Sequence, residues 1–241
     1  MIRFFRSIRQ RLLAKNRFTQ YVVYAIGEIA LVMIGILLAL QVNNWNEERK
    51  QQESLKAIYL ITKEDLRNDI VEIDSFLKDY EEKRKPAFEA VLNTKLTKED
   101  WSNNPTYKTV LFGFKDFAIN QRGFELLKSQ SNQTVEQNLD SEIILFYNRH
   151  NIEIEVGVKE LGDEFSHNLK KLKKYDWFSS YQLHGEMDGA IDYIMNDPIA
   201  KNDITLYYLI YAIYVEELRD FKTNGEELIR KIDDHISADK K

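Results

Sequence analysis

The chain has 241 residues, no cysteine, and a formal charge of −5 that is distributed very unevenly. Residues 1–20 contain six basic and no acidic residues, whereas residues 43–241 contain 28 basic and 38 acidic ones. The lack of cysteine excludes disulfide bonds, thiolate zinc sites and cysteine nucleophiles. The acidic bulk argues against a nucleic-acid partner, which needs a basic face to meet phosphates.

The basic arm, residues 1–20, precedes an apolar run, residues 21–42, whose only charged residue is Glu28. A helix of 22 residues is about 33 Å long, which matches a hydrocarbon core of about 30 Å. We therefore predict a transmembrane helix rather than a cleaved signal peptide, whose apolar stretch is shorter and ends in a small-x-small site. Residues that anchor a span at the lipid headgroups lie at its edges: Arg17, Tyr21, Tyr24 and Trp45.

The charge of the arm also predicts the orientation of the span. The positive-inside rule places residues 1–20 in the cytoplasm, and residues 43–241 then lie across the membrane. In a Gram-negative cell this arrangement is an inner-membrane protein with a periplasmic domain. The lipid bilayer is therefore the first partner that we expect, and the basic arm is attracted to its anionic headgroups.

The stretch YAIGEIALVMIGILLALQVNNWNEERK resembles the opening of a family of uncharacterised membrane proteins from Bacteroidota, the DUF6090 family. That family's pattern is Tyr-Ala-Ile-Gly-Glu, an aliphatic run, then Gln-x-Asn-Asn-Trp-Asn-Glu. A second, weaker similarity begins at Gly123, although Phe124 and Gln130 depart from the residues usual there. The resemblance implies a single-pass topology, and the family has no established activity to carry over. The matching positions are Tyr24, Ala25, Ile26, Gly27, Glu28, Gln41, Asn43, Asn44, Trp45, Asn46 and Glu47.

Beyond Trp45 the chain has the pattern of successive amphipathic helices. Apolar residues recur three to five apart between residues 55 and 80, which predicts a long helix, and Pro86 predicts a kink or restart. Asn and Pro predict a loop over residues 97–106. Shorter helices should follow at about 107–117 and 121–130, and Asp140 is the predicted N-cap of a helix that ends near Leu172.

The last part of the chain predicts a connection at Gly185 and Gly189 and a helix that begins near Pro198. A final long helix, residues 204–235, contains ITLYYLIYAIYV, which is uncharged but too short to cross lipid and should be core. Because no period-2 alternation appears, we predict an all-α fold. It consists of one N-terminal transmembrane helix followed by an elongated extracytoplasmic bundle of three or four long helices. The predicted domains are 1–20, 21–42 and 43–241.

Catalytic and metal-binding motifs are scarce. Glu164 and His167 form one Glu-x-x-His step, whereas di-iron bundles need two such steps and two further glutamates. A P-loop, a dinucleotide fingerprint and a Gly-x-Ser-x-Gly motif are absent from the sequence. We therefore predict no cofactor, no metal site and no catalytic residue.

Glu28 is the residue of the span that needs an explanation. It shares a helical face with Gly35 and Ala39, a small-x-x-x-small pair that allows close helix approach. Three interpretations stay open: Glu28 bridges spans of an oligomer or a partner, bends toward the cytoplasmic interface near Arg17, or carries protons beside a polytopic partner. In the third interpretation the arrangement of one span, one acid and an outer domain is similar to that of stator and biopolymer-transport subunits, which is an analogy only.

These patterns together predict an interaction or scaffold protein that forms homo-oligomers through its span. The alternative is an accessory subunit of an ion-driven or signalling membrane complex, with a polytopic protein as partner and Glu28 as the contact or proton carrier.

Overall fold

The computed structural model describes residues 18–93, 95–111, 113–130 and 138–238. The chain divides into two compact units, residues 1–56 and 57–241. Every regular element within the described ranges is a helix, so the prediction of an all-α fold is confirmed. Helix α1, Phe18–Asp79, is the longest of them.

The second unit is built on three long helical segments, namely residues 57–79 of α1, helix α5 (Asn138–Leu172) and helix α8 (Pro198–Ala238). Helix α8 runs antiparallel to α1, because Lys63 pairs with Asp233 and Phe76 packs edge-on against Tyr214, 5.7 Å between ring centroids. Helix α8 also has its most extensive helix contact with α5. The three segments therefore form the bundle that periodicity predicted.

The helical backbone continues from α1 past Pro86 without a break. A π-helical turn, Tyr80–Arg84, connects α1 to helix α2, Lys85–Asn93, which contains Pro86. Proline has no N–H and its ring clashes with the carbonyl four residues earlier, and a π-turn is a known way for a helix to absorb such a defect. The predicted disruption at Pro86 is thus a local change of helix type.

The predicted loop at 97–106 is largely wrong. Helix α3, Lys98–Asn103, occupies most of it, and a 3₁₀ turn, Pro105–Thr109, follows. Thr97 caps α3 with a capping box, because its hydroxyl accepts from the Asp100 N–H at 3.2 Å and the Asp100 carboxylate accepts from the Thr97 N–H at 2.7 Å. Trp101 of this short helix is buried, and its ring packs edge-on against Tyr107 with 5.7 Å between ring centroids.

The predicted helix at 107–117 is also wrong. Residues 113–121 have no regular structure and run antiparallel to α1, with Lys115 paired to Glu72 at 2.8 Å. Val110, Leu111 and Phe117 are buried, so these apolar residues serve tertiary packing and not a helical face. Helix α4, Arg122–Gln130, then begins where it was predicted.

Asp140 is not the N-cap of α5, because the helix already begins at Asn138. The Asp140 carboxylate is buried and accepts a hydrogen bond of 2.5 Å from the Tyr59 hydroxyl on α1. An acid in the first turn of a helix still stabilises the helix through the positive end of the helix dipole. The residue therefore joins two helices instead of capping one.

The connection between α5 and α8 contains helix α6, Trp177–His184, and helix α7, Asp188–Asn196. Gly185 ends α6 in the left-handed conformation, with φ of 70°, as predicted for a break. Gly189 lies inside α7, contrary to the prediction, and a Cβ atom there would lie 2.5 Å from Cγ of Trp177. Glycine at 189 thus serves close packing.

The uncharged stretch of α8 is core on one face only. Tyr207, Tyr211 and Tyr214 are at most 1% exposed, which confirms the prediction of a central tyrosine-rich face. On the other face Leu209 and Ile213 are more than half exposed.

Candidate functional site

The first candidate site is the apolar surface of α1 in the first unit. Every large apolar side chain between Val22 and Val42 is 38–69% exposed. An 18-residue window of this helix has a mean hydropathy of 2.4, and none of it is buried. The helix is long and apolar enough to cross a membrane, and its full exposure distinguishes it from the core helix of a soluble domain.

Glu28, Gly35 and Ala39 lie on one face of this helix, because they are seven and four residues apart on a continuous α-helix. Glu28 is half-buried. A Cβ atom at Gly35 would meet no other atom within 4 Å. No described residue of the chain occupies the shallow strip beside Gly35, so a second helix can approach it closely.

The predicted interface anchors are only partly described. Tyr24 is half-buried on the helix, and Trp45 is 63% exposed with the Arg49 guanidinium 5.9 Å from the centre of its ring. Arg17 and the side chain of Tyr21 lie outside the described residues, as do residues 1–17 of the basic arm. A tryptophan with a neighbouring arginine is typical of a lipid interface.

Metal ligands do not converge in the described ranges. Over those ranges no group of three or more histidine, cysteine, aspartate or glutamate side chains could hold a metal ion. Glu164 and His167 remain a single step on α5.

The second site is a buried carboxylate cluster that the sequence analysis did not identify. Asp65 and Asp69 lie one turn apart on α1, and neither exposes any surface. Asp65 Oδ1 accepts from Arg122 Nε at 2.9 Å and from Nη2 at 2.6 Å, and Asp65 Oδ2 accepts from the Gly123 N–H at 2.9 Å. Asp65 therefore pairs with a cation and also caps the first turn of α4 from another helix.

Asp69 has neutral partners instead. It accepts from the Asn120 main-chain N–H at 3.1 Å and from Asn120 Nδ2 at 2.5 Å. Burial raises the pKa of Asp69 to about 7, against the lowering effect of the Asn120 hydrogen bonds and with a further increase from Asp65. The Tyr147 hydroxyl of α5 is buried, with no hydrogen-bond partner among the described residues, and burial, Asp69 and Asp65 raise its pKa in that order.

Helix α4 reaches this cluster because its second residue is glycine. A Cβ atom at Gly123 would lie 2.6 Å from both the Cα and the backbone N of Thr62 on α1. Phe124, next along, stacks on Tyr147 with 4.9 Å between ring centroids. The close approach of two backbones therefore positions the donors of residues 120–123 over the two carboxylates.

One histidine is also buried. His150 is 1% exposed, with Nε2 at 3.2 Å from Asn224 Nδ2 and Nδ1 at 3.1 Å from Glu153 Oε2. Burial lowers the pKa of His150, so the imidazole is neutral at pH 7. It lines a groove of about 330 Å³ between α5 and α8 and packs against Phe146 and Phe221, which is the environment of a core residue.

Comparison with known proteins gives one similarity. The model of a family described as "Family of unknown function (DUF6090)" matches residues 28–104. This range begins at Glu28 and contains Gly35, Ala39, Asp65 and Asp69. Neither the curated proteins nor the solved structures gave a match.

Proposed function

Because the chain belongs to the DUF6090 family, whose function is unknown, we propose a function from its geometry: a membrane-anchored helical scaffold protein that self-associates through α1. In this proposal residues 1–20 are cytoplasmic, residues 21–42 cross the inner membrane, and residues 43–241 form a periplasmic interaction domain. The observation that carries the proposal is the apolar surface of residues 22–42, none of which is buried.

The exposed surface supports a lipid environment on energetic grounds. Apolar surface in water costs about 25 cal/mol per Å², and monomeric soluble proteins rarely expose a contiguous patch of more than a few hundred Å². A helix that is apolar on all sides over 22 residues exceeds that limit. Lipid chains would cover this surface at no cost to the rest of the fold.

The topology can be tested with single cysteines, since the chain has none of its own. Ser7→Cys and Glu48→Cys lie on either side of the proposed span. We expect a membrane-impermeant maleimide to label Glu48→Cys in cells with a permeabilised outer membrane, and Ser7→Cys only after the inner membrane is lysed. Release of the chain from membranes by alkaline carbonate, or equal labelling of both cysteines, would contradict the proposal.

The face of Glu28, Gly35 and Ala39 is the proposed self-contact. Ala39→Leu places a bulky side chain in it, whereas Ala30→Leu makes the same change two and a half turns away, on the opposite side of the helix. We expect the mass of the complex extracted in mild detergent to fall to that of one chain for Ala39→Leu and to stay unchanged for Ala30→Leu. A single-chain mass for the unmodified protein would refute self-association.

Glu28→Gln separates a bridging role of the acid from proton transfer, because an amide bonds across helices but cannot release a proton. We expect the complex to keep its mass in this variant. Co-purification of a polytopic protein, with assembly intact but cellular function lost in Glu28→Gln, would favour the alternative of an accessory subunit.

A further inference from the structure

The carboxylates of Asp65 and Asp69 are both fully excluded from water. Charged and titratable groups meet them from three directions. Helix α1 itself supplies acids, the chain before α4 and the first residue of α4 supply cations, and α5 supplies a phenol; the members are Glu64, Glu72, Lys115, Arg122 and Tyr147. Lys115 is paired with Glu72 at 2.8 Å, and Arg122 is paired with Asp65. One cation therefore serves two buried carboxylates.

Asp69 is the carboxylate without a cation. Of the residues that the structure describes, none forms an ion pair with it, and both of its donors belong to the neutral Asn120. An unpaired charge in a dry site is costly, and a like charge one turn away adds to that cost. A proton on Asp69 removes both penalties.

We propose that Asp69 holds a proton in the docked state and that this proton controls the docking of residues 120–130 onto α1. With the proton bound, the pair carries one negative charge, which Arg122 balances. Without it, a second negative charge is buried beside neutral donors, and undocking is the way to hydrate it. Undocking would uncover Phe124 and Leu127, which are 3% and 1% exposed in the docked state.

The direction of the pH dependence follows from this balance. The docked state binds the proton more tightly than an undocked carboxylate does, because burial raises the pKa of Asp69 to about 7. Docking is then strongest below the ordinary aspartate pKa of about 4 and weakens as the pH rises through about 7. The proposal does not depend on membrane insertion, so it can fail or hold independently of the proposed function.

The test is hydrogen–deuterium exchange of the full chain in an uncharged detergent at pH 6 and pH 8.5, corrected for the intrinsic exchange rate. We expect the protection of the amides of residues 122–130 to fall about tenfold between these pH values, with unchanged protection in α8. Asp69→Asn, neutral at both pH values, should abolish the difference. Asp74→Asn, an exposed acid on the same helix that pairs with Lys222, should keep it.

If Asp69→Asn does not fold, Arg122→Gln provides a second test. Removing the cation should move the midpoint of the protection change to higher pH, because the charge of Asp65 is then unbalanced and Asp69 holds its proton more tightly. The proposal is overturned by equal protection at pH 6 and pH 8.5 in the unmodified chain, by the same loss in Asp69→Asn, or by an unmoved midpoint in Arg122→Gln.

Discussion

Replacing Gly123 with alanine tests whether the close approach of α4 to α1 determines the stability of the bundle. The new Cβ atom would lie 2.6 Å from the Cα and backbone N of Thr62, well inside an ordinary carbon contact of about 3.5 Å. Because the obstacle is main chain of α1, no side-chain rotation relieves it. Helix α4 must move away from α1.

The size of the effect follows from what that movement disrupts. Overpacking a close contact costs about 1–3 kcal/mol. Lengthening the 2.9 Å bond from the Gly123 N–H to the Asp65 carboxylate removes a charge-assisted interaction of about 2 kcal/mol. Alanine returns at most about 1 kcal/mol through its higher helix propensity. We expect a net loss of about 2–4 kcal/mol in the free energy of unfolding.

The assay is thermal unfolding of the full chain in mild detergent, followed by circular dichroism at 222 nm. In a domain of this size each kcal/mol moves the midpoint by about 2–4 °C, so we expect a decrease of about 10 °C. Gly162→Ala is the control, since Gly162 is also helical but its Cβ would meet only Phe114 Cζ, at 3.7 Å. A midpoint for Gly123→Ala that equals the control's would refute the reasoning.

Four further substitutions test single contacts. Gly189→Ala drives a methyl group into Trp177 and should lower the midpoint by several degrees and shift the tryptophan emission of the full chain. Thr97→Ala removes the capping box and should cost about 1 kcal/mol, seen as faster amide exchange in α3 alone. Tyr147→Phe removes a buried hydroxyl that has no hydrogen-bond partner among the described residues, so it should raise the free energy of unfolding by about 1 kcal/mol in the same melting assay. Tyr59→Phe removes the hydroxyl that donates to the Asp140 carboxylate, so it should lower the free energy of unfolding.

The long helices can be predicted from the sequence because the spacing of apolar residues determines each of them. Apolar residues at helical spacing predict α5 and α8, and the structure confirms both. The helix predicted over residues 107–117 is wrong because the apolar residues there have a different role. Their apolar residues are buried by contacts with distant helices, and a window of a few residues cannot tell such contacts from a helical face.

Helix α3 was missed although its signal was present. Thr97 and Asp100 have the spacing of a capping box, but the neighbouring asparagines and proline are turn formers and favour a loop. In this segment the capping pair and the buried Trp101 determine a helix, although the surrounding composition is that of a loop.

The positions of the two clustered aspartates in the apolar pattern of α1 already indicate that they are buried. Asp65 and Asp69 occupy the same helical stripe as the buried residues Ile58, Ile73 and Phe76. Acids at core positions of an amphipathic helix require a partner. The sequence does not say which one, because Arg122 and Asn120 are more than 50 residues away and only the folded chain brings them together.

The antiparallel pairing of α1 with α8 has a consequence for synthesis. Lys63 meets Asp233 across a separation of 170 residues, and Tyr59 packs on His235. While the ribosome is still making α8, the apolar stripe of residues 58–76 lacks the helix that covers it. The bundle therefore closes only after its last turns have emerged, and until then the nascent second unit exposes apolar surface that is prone to aggregation.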